Sequence, residues 1–381
     1  MRGFSACSKD DSGNQQQEPE YPSPTPVPSA DYKGLAFISS GESTVRLAQV
    51  GTPYEISLEY STDESHWKPY TIGETITLAD STFLLFRSGE HKNRKFSKDD
   101  ENYYHFEISG PISAQGNIMS LLNRDFSTPL TFYGFFALFE GCTSLLSAPE
   151  LPATTMEQGC YFGIFSECTG LTSAPELPAN VLANNCYGWM FKGCSALTSA
   201  PELPATEMGS YCYNGMFANC TKLTSAPELP AKRLESNCYN CMFEGCTSLT
   251  SAPELPATYL VRECYHSMFN GCTSLASAPK LPATTLEWGC YSEMFQGCTS
   301  LTSAPELPAK ELIRNCYQLM FKDCSKLRYV KALFTTSPSE ETTKDWLSGV
   351  AASGTFVKSK NATWNVTGVH SIPKGWKIET Q

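Results

Sequence analysis

Fifteen of the seventeen cysteines fall into two series that share one period. Cys142, Cys168, Cys194, Cys220, Cys246, Cys272, Cys298 and Cys324 are each 26 residues apart, and so are Cys160, Cys186, Cys212, Cys238, Cys264, Cys290 and Cys316. Cys7 and Cys241 stand outside both series. Thiols at fixed spacing can ligate a metal, form disulfides or pack as small apolar groups. Zinc sites usually pair cysteines two to four residues apart. Here seven residues separate the two cysteines of a unit, and almost no histidine shares their register. In a strand-like column, equivalent Cα atoms repeat about every 4.8 Å. Parallel side chains keep their Cβ atoms equally far apart, whereas a bridge needs about 3.8 Å. On packed helices the columns would be about 8–10 Å apart, which is too far. Buried free thiols acting as small hydrophobes remain, with Cys241 expected to be the exposed thiol.

A second series carries charge. Glu150, Glu176, Glu202, Glu228, Glu254, Lys280 and Glu306 recur at the same period. Carboxylates in stacked register repel one another, at modest cost if solvated, and Lys280 relieves the row. Such a row can face a basic partner or hold calcium weakly between oxygens. It can equally be a solvated ridge that blocks edge pairing.

Composition narrows the field. The chain has 28 basic and 39 acidic residues, a formal charge of −11. Phosphate binding needs a basic field, so nucleic acid is not an expected partner. Hydrophobic residues make up 41%, with 21 Phe and 18 Tyr, which argues against disorder. No apolar run reaches the 18 residues of a membrane span. A glycan-cleaving enzyme needs a paired acid and base, but these carboxylates are regular rather than paired. No Ser/His/Asp or Cys/His constellation stands out, so the chain reads as non-enzymatic, with no catalytic residues, metal or cofactor expected.

What positions these columns is a repeated unit. Counting from Cys246 as zero, one unit reads CTSLTSAPELPATYLVRECYHSMFNG. Leu249 and Leu255 lie at +3 and +9 and Pro256 at +10; Leu260, Cys264, Met268 and Cys272 follow at intervals of four. That stripe predicts a short helix. A capping type (Thr154, Asn180, Thr206, Thr258 or Thr284) precedes it, and Gly141, Gly193, Gly245, Gly271, Gly297, Asn219 or Asp323 closes it; Glu167 is the exception. The segment from +3 to +9 predicts a strand, kept short by the proline at +7. Neither piece buries its own face, so neighbouring units must stack into one core. The Tyr, Met and Phe columns at +19, +22 and +23 are therefore core positions.

The flanks differ in kind. Residues 8–32 are rich in Pro, Gln and Ser and predict an extended stalk. Alternating stretches such as Val45–Ala48, Ile56–Tyr60, Thr75–Leu78 and Tyr104–Ile108, together with the apolar run Phe83–Phe86, predict a small β-sandwich over 33–112. Trp67 and Tyr70 there could offer a sugar-stacking platform, or pack inside. Repeats fill 113–334. A cap at 335–381 has a short helix expected to begin at Thr343, strands at Gly354–Lys358 and Trp376–Glu379, and Trp346, Trp364 and Trp376 closing the core.

The unit LTSAPELPATxLxxxCYxxMFxGCTSL resembles the leucine-rich repeats of BspA-type surface proteins, over residues 134–334. The resemblance implies a curved α/β solenoid of 26-residue units, each a short strand plus a short helix, exposed on a bacterial cell and involved in adhesion. Phe4-Ser5-Ala6-Cys7 resembles the end of a bacterial lipobox, and the following Ser-Lys-Asp-Asp resembles an outer-surface export tag, although the apolar middle of a signal is missing. Cys7 is then the lipidated residue, 1–7 the remnant of a lipoprotein signal, and the outer membrane the address. Repeat-specific residues are the candidate ligand contacts: Trp189, Tyr211, Arg233, Tyr259, Arg262, His266, Trp288 and Arg314. Neutral drift at tolerant positions would also explain them. The expected partner is a host or bacterial surface glycoprotein, matrix protein or glycan, met by a monomer that touches the membrane only through its lipid. A phage or secretion-type tail adhesin would use the same repeats without lipid.

Overall fold

The computed structural model describes residues 27–90, 93 and 95–381. Cys7 and stalk residues 8–26 lie outside them, as do His91, Lys92 and Arg94. Eight strands come first: β1 (Leu35–Ser39), β2 (Ser43–Val50), β3 (Leu58–Ser61), β4 (Lys68–Tyr70), β5 (Thr75–Leu78), β6 (Phe83–Ser88), β7 (Tyr103–Ser109) and β8 (Ile112–Gln115). Val45–Ala48, Thr75–Leu78 and Tyr104–Ile108 lie in β2, β5 and β7, only Leu58–Tyr60 of the segment Ile56–Tyr60 lies in β3, and the apolar run begins β6. One sheet has the order β4-β3-β6-β1-β8-β9, where β9 (Leu145–Ser147) belongs to the first repeat; the other is β5-β2-β7. Phe37 of β1 meets Phe106 of β7 edge-on at 5.0 Å, joining the two sheets through one core. Tyr70 is buried there, its hydroxyl donating to the Glu74 carbonyl and accepting from the Leu47 amide. Trp67 lies beneath the Arg87 guanidinium, 3.7 Å from its ring centroid. Neither ring is a free platform.

The core then runs on without a break. Phe106 stacks on Phe139 at 5.2 Å, and Phe165, Phe191, Phe217, Phe243, Phe269, Phe295 and Phe321 follow at 5.5–5.7 Å. A parallel tyrosine column from Tyr161 to Tyr317 repeats at 5.8–6.2 Å. Successive 26-residue units are thus stacked in register, with their Leu, Tyr, Met, Phe and Cys columns buried.

The backbone corrects the expected helix. No residue from 134 to 334 is α-helical. In the unit after Cys246, Glu263, Ser267 and Gly271 have φ of 52°, 51° and 73°, so every fourth residue is left-handed. His266, Met268 and Asn270 close local turns onto Glu263, Tyr265 and Ser267. The alternate amides, from Glu263, Tyr265, Ser267, Phe269 and Gly271, donate instead to carbonyls of the next unit at 2.7–3.1 Å. An apolar spacing of four drifts by about 40° per step on a helix of 3.6 residues per turn, whereas a ribbon of turns with a four-residue period does not drift. The Gly and Asn residues read as helix stops do adopt the left-handed conformation, but as one of three such sites per unit.

The arms are extended with little ladder. Prolines leave only isolated bridges, such as Ser225 with Ser251 and Ser251 with Ser277. Where Tyr-Val-Lys-Ala replaces Ser-Ala-Pro-Glu, a true strand forms: β10 (Tyr329–Ala332) pairs in parallel with β11 (Thr355–Lys358), and β11 with β12 (Lys377–Thr380). The cap helix, α1 (Glu340–Thr343), ends where it was expected to begin, because Ser339 and Thr342 form a capping box at its start. Trp346, Trp364 and Trp376 are buried, their indoles donating to the carbonyls of Ser371, Phe334 and Ala351. Among the described residues, no helix is long and apolar enough to cross a membrane.

Candidate binding surface

Two faces of the stack reach solvent with a regular pattern. Of the eight repeat-specific side chains, Arg233 and Tyr259 lie at +13, and the other six sit on the turn ribbon, at the left-handed positions +17 and +21 and their neighbours at +16 and +20. Their columns hold an aromatic ladder at the N-terminal end. Tyr103 meets Phe136 at 5.1 Å, Phe136 stacks on Phe162 at 5.4 Å, and Phe162 on Trp189 at 6.2 Å. Small residues in the next unit make room. A Cβ at Gly188 would come 2.9 Å from the Phe162 ring, and one at Gly215 would come 2.9 Å from that of Trp189. The Lys192 ammonium lies 4.5 Å from the Trp189 centroid and 3.8 Å from a Glu167 carboxylate oxygen. Trp189 remains 40% exposed, so the ladder ends in a ring available to a partner.

A second cluster lies further along. The Arg262 guanidinium sits 4.3 Å from the Trp288 centroid and 3.6 Å from Glu263. His266 approaches Glu293 at 3.8 Å, and the Ser267 hydroxyl lies 3.1 Å from the same carboxylate. Cys241 is half-buried, and its Sγ is 2.8 Å from the Asn240 side-chain oxygen. Burial and the neighbouring Glu244 push that thiol up to about 12, so it stays protonated and is a poor nucleophile at neutral pH. Among the described residues, no group of three or more His, Cys, Asp and Glu side chains converges to hold a metal. The arrangement supports contact recognition by stacking and hydrogen bonding.

The structure therefore joins Arg262 to Trp288 and sets His266 beside Glu293, and it places Trp189 in the aromatic ladder. Tyr211, Arg233, Tyr259 and Arg314 are exposed but belong to neither cluster. Sequence reasoning singled out none of Tyr103, Phe136, Phe162 and Lys192 as contacts. Phe136 and Phe162 are 26 residues apart at +20, a signal that was present.

The arms form the other face. Glu150, Glu176, Glu202, Glu228 and Glu254 are all exposed. Shallow grooves of about 430–510 Å³ lie between successive arms, one walled by Pro175, Pro178, Pro201 and Pro204 with Glu176 and Glu202. Lys280 lines the groove that contains Glu306, and Glu306 pairs with Lys331 at 2.9 Å.

No curated protein matches the chain. One solved structure that does is a leucine-rich repeat protein from Bacteroides ovatus, with 14% identity, 65% of this chain and 86% of that chain covered, and a TM-score of 0.25. The family model described as a BspA type leucine-rich repeat region matches six copies, over residues 135–233 and 213–338. Those matches span more than half the chain, and it belongs to the BspA-type leucine-rich repeat family.

Proposed function

We propose that this protein is a cell-surface binding protein that recognises a host or neighbouring-cell macromolecule through its repeat stack. The observation that carries the reading is the contrast between core and turn face. The buried columns repeat almost without change, while the outward +16, +17, +20, +21 and +24 positions hold aromatic and cationic pairs that differ from unit to unit, Trp189 with Lys192 and Arg262 with Trp288. Aromatic and arginine side chains are the types that dominate contact energies at interfaces. In this reading the units form a solenoid, set between a small β-sandwich at 33–112 and a C-terminal cap at 335–381. Cys7 carries lipid, the Pro- and Gln-rich residues after it form a stalk that ends where Ser29 and Tyr32 bond to Glu64 and Phe86 of the β unit, and the protein stands as a monomer on the outer membrane.

The test is an array of matrix proteins, surface glycoproteins and glycans probed with the full chain and with a Trp189→Ala, Trp288→Ala double variant. The reading requires at least one ligand bound by the parent and lost by the variant. Equal signals from both chains on every spot would remove it. Mass spectrometry of the chain from its native cell, showing acyl mass on Cys7, tests the anchor separately.

A further inference from the structure

We propose a second binding site, outside the repeats, that takes one oxyanion (carboxylate, sulfate or phosphate) carried on a small molecule or a terminal sugar. It is a pocket of about 260 Å³ lined by Asp31, Tyr32, Lys33, Gly34, Arg87, Ser120, Arg124 and Phe126. That is below the range of drug-sized clefts and suits a single head group.

The charge is unusual for this molecule. The chain carries −11, yet Lys33, Arg87 and Arg124 meet here against Asp31 and the adjacent Glu59. Glu59 accepts from the Arg87 Nε and from the Arg124 Nη2, each at 2.9 Å, and the Arg87 Nη2 lies 2.8 Å from the same carboxylate oxygen as an ion pair. One carboxylate thus holds two guanidinium groups and neutralises one. Arg87 is further clamped against the Trp67 ring, and the Arg124 Nε donates to the Ser88 carbonyl at 3.2 Å. The Nη1 groups of both arginines have no partner among the described residues. Each guanidinium is therefore fixed in position with donors to spare, an arrangement suited to an oxyanion because little side-chain entropy is left to lose.

The rest of the pocket is rigid and satisfied. The Ser120 hydroxyl donates to the Phe86 carbonyl at 3.1 Å and accepts from the Leu35 amide at 2.9 Å. The Tyr32 hydroxyl donates to the same carbonyl at 2.8 Å. Phe126, a bulky residue with φ of 58°, forms part of the wall; backbone strain of this kind clusters at ligand sites.

Calorimetry on the full chain tests the site with glucuronate, glucose 6-sulfate and glucose 6-phosphate, and with glucose as the uncharged control. At least one anion should bind while glucose does not, and the order among the three identifies the oxyanion. Arg124→Gln, at a half-exposed position, should weaken binding about tenfold or more without changing the circular dichroism spectrum. Glu59→Gln removes the competing carboxylate and should tighten binding if both arginines stay in place. Silence from all three anions up to about 10 mM, equal binding of glucose, or an unchanged affinity in Arg124→Gln would overturn the proposal. Because Trp189 and Trp288 lie outside this pocket, the double variant used for the repeat face should keep its anion binding, so the two readings fail independently.

Discussion

The Sγ of Cys220 lies 3.1 Å from the carbonyl oxygen of Phe191, 29 residues earlier in the chain. The same contact recurs from Cys168 to Cys324 at 3.0–3.2 Å, and Cys142 makes it to Phe106 of β7 at 3.0 Å. The first cysteine series therefore acts as a column of buried donors as well as small apolar filler. The second series has no such regular acceptor: Cys160 meets the Met156 sulfur at 3.5 Å, and Cys316 reaches the Thr342 carbonyl at 3.8 Å.

The two columns should accordingly respond differently to serine. Cys246→Ser keeps a donor aimed at the Phe217 carbonyl and should cost little. Cys238→Ser buries a hydroxyl without a regular partner and should cost about 1–3 kcal/mol. Urea denaturation of the two variants compares them, and equal losses would show that the sulfur contact plays no part.

Stability should collapse on the alkaline side. Burial pushes the Cys246 and Cys264 thiols from an ordinary 9 up to about 12, and it raises the Tyr213 and Tyr265 hydroxyls well above their usual range. A thiol that ionises near 9 when unfolded and near 12 when folded favours the folded chain fully below pH 9. That contribution is lost as the pH rises towards 12. Each such thiol removes about 1.4 kcal/mol per pH unit in this window. The melting temperature should stay level from neutral pH to about 8.5 and then fall steeply. A flat profile to pH 11 would contradict the burial of the thiols.

Native thiol chemistry offers a simpler check. Of the sixteen described cysteines only Cys241 is not fully buried. In a Cys7→Ser background, a thiol reagent should modify Cys241 alone and slowly, with the other fifteen reacting only after denaturant is added. Rapid modification of several thiols in the native chain would mean that the columns are open.

The left-handed sites predict substitutions of opposite sign. Leu319 has φ of 57°, and Leu319→Asn should stabilise by up to about 1 kcal/mol. Gly271 has φ of 73°, and a Cβ there would meet nothing nearer than the Gly245 Cα at 3.6 Å. Gly271→Ala should therefore cost about 1 kcal/mol from backbone strain alone. If thermal melts showed no difference between the two variants, the turn ribbon would lose its main support.

Much of this was legible in the residues. The 26-residue period fixes which columns stack, and the Pro at +7 foretells a broken ladder, as its loss at β10 demonstrates. The helix was misread because an apolar spacing of four fits one turn of either ribbon. The sign that separates them is a residue tolerant of positive φ every fourth position, and side chains such as Trp189, Tyr211 and Leu319 hide it at those sites. The anion pocket was invisible for another reason. Glu59, Arg87 and Arg124 lie 28 to 65 residues apart, and only the pairing of β3 with β6 brings the first two together.

The amide bonds between units run along the stack rather than across it. A pull applied between the two ends would load every interface in series, so the weakest would yield first and alone. Each failure would release 26 residues, roughly 90 Å of slack. A tether built this way would lengthen in steps under flow before it let go.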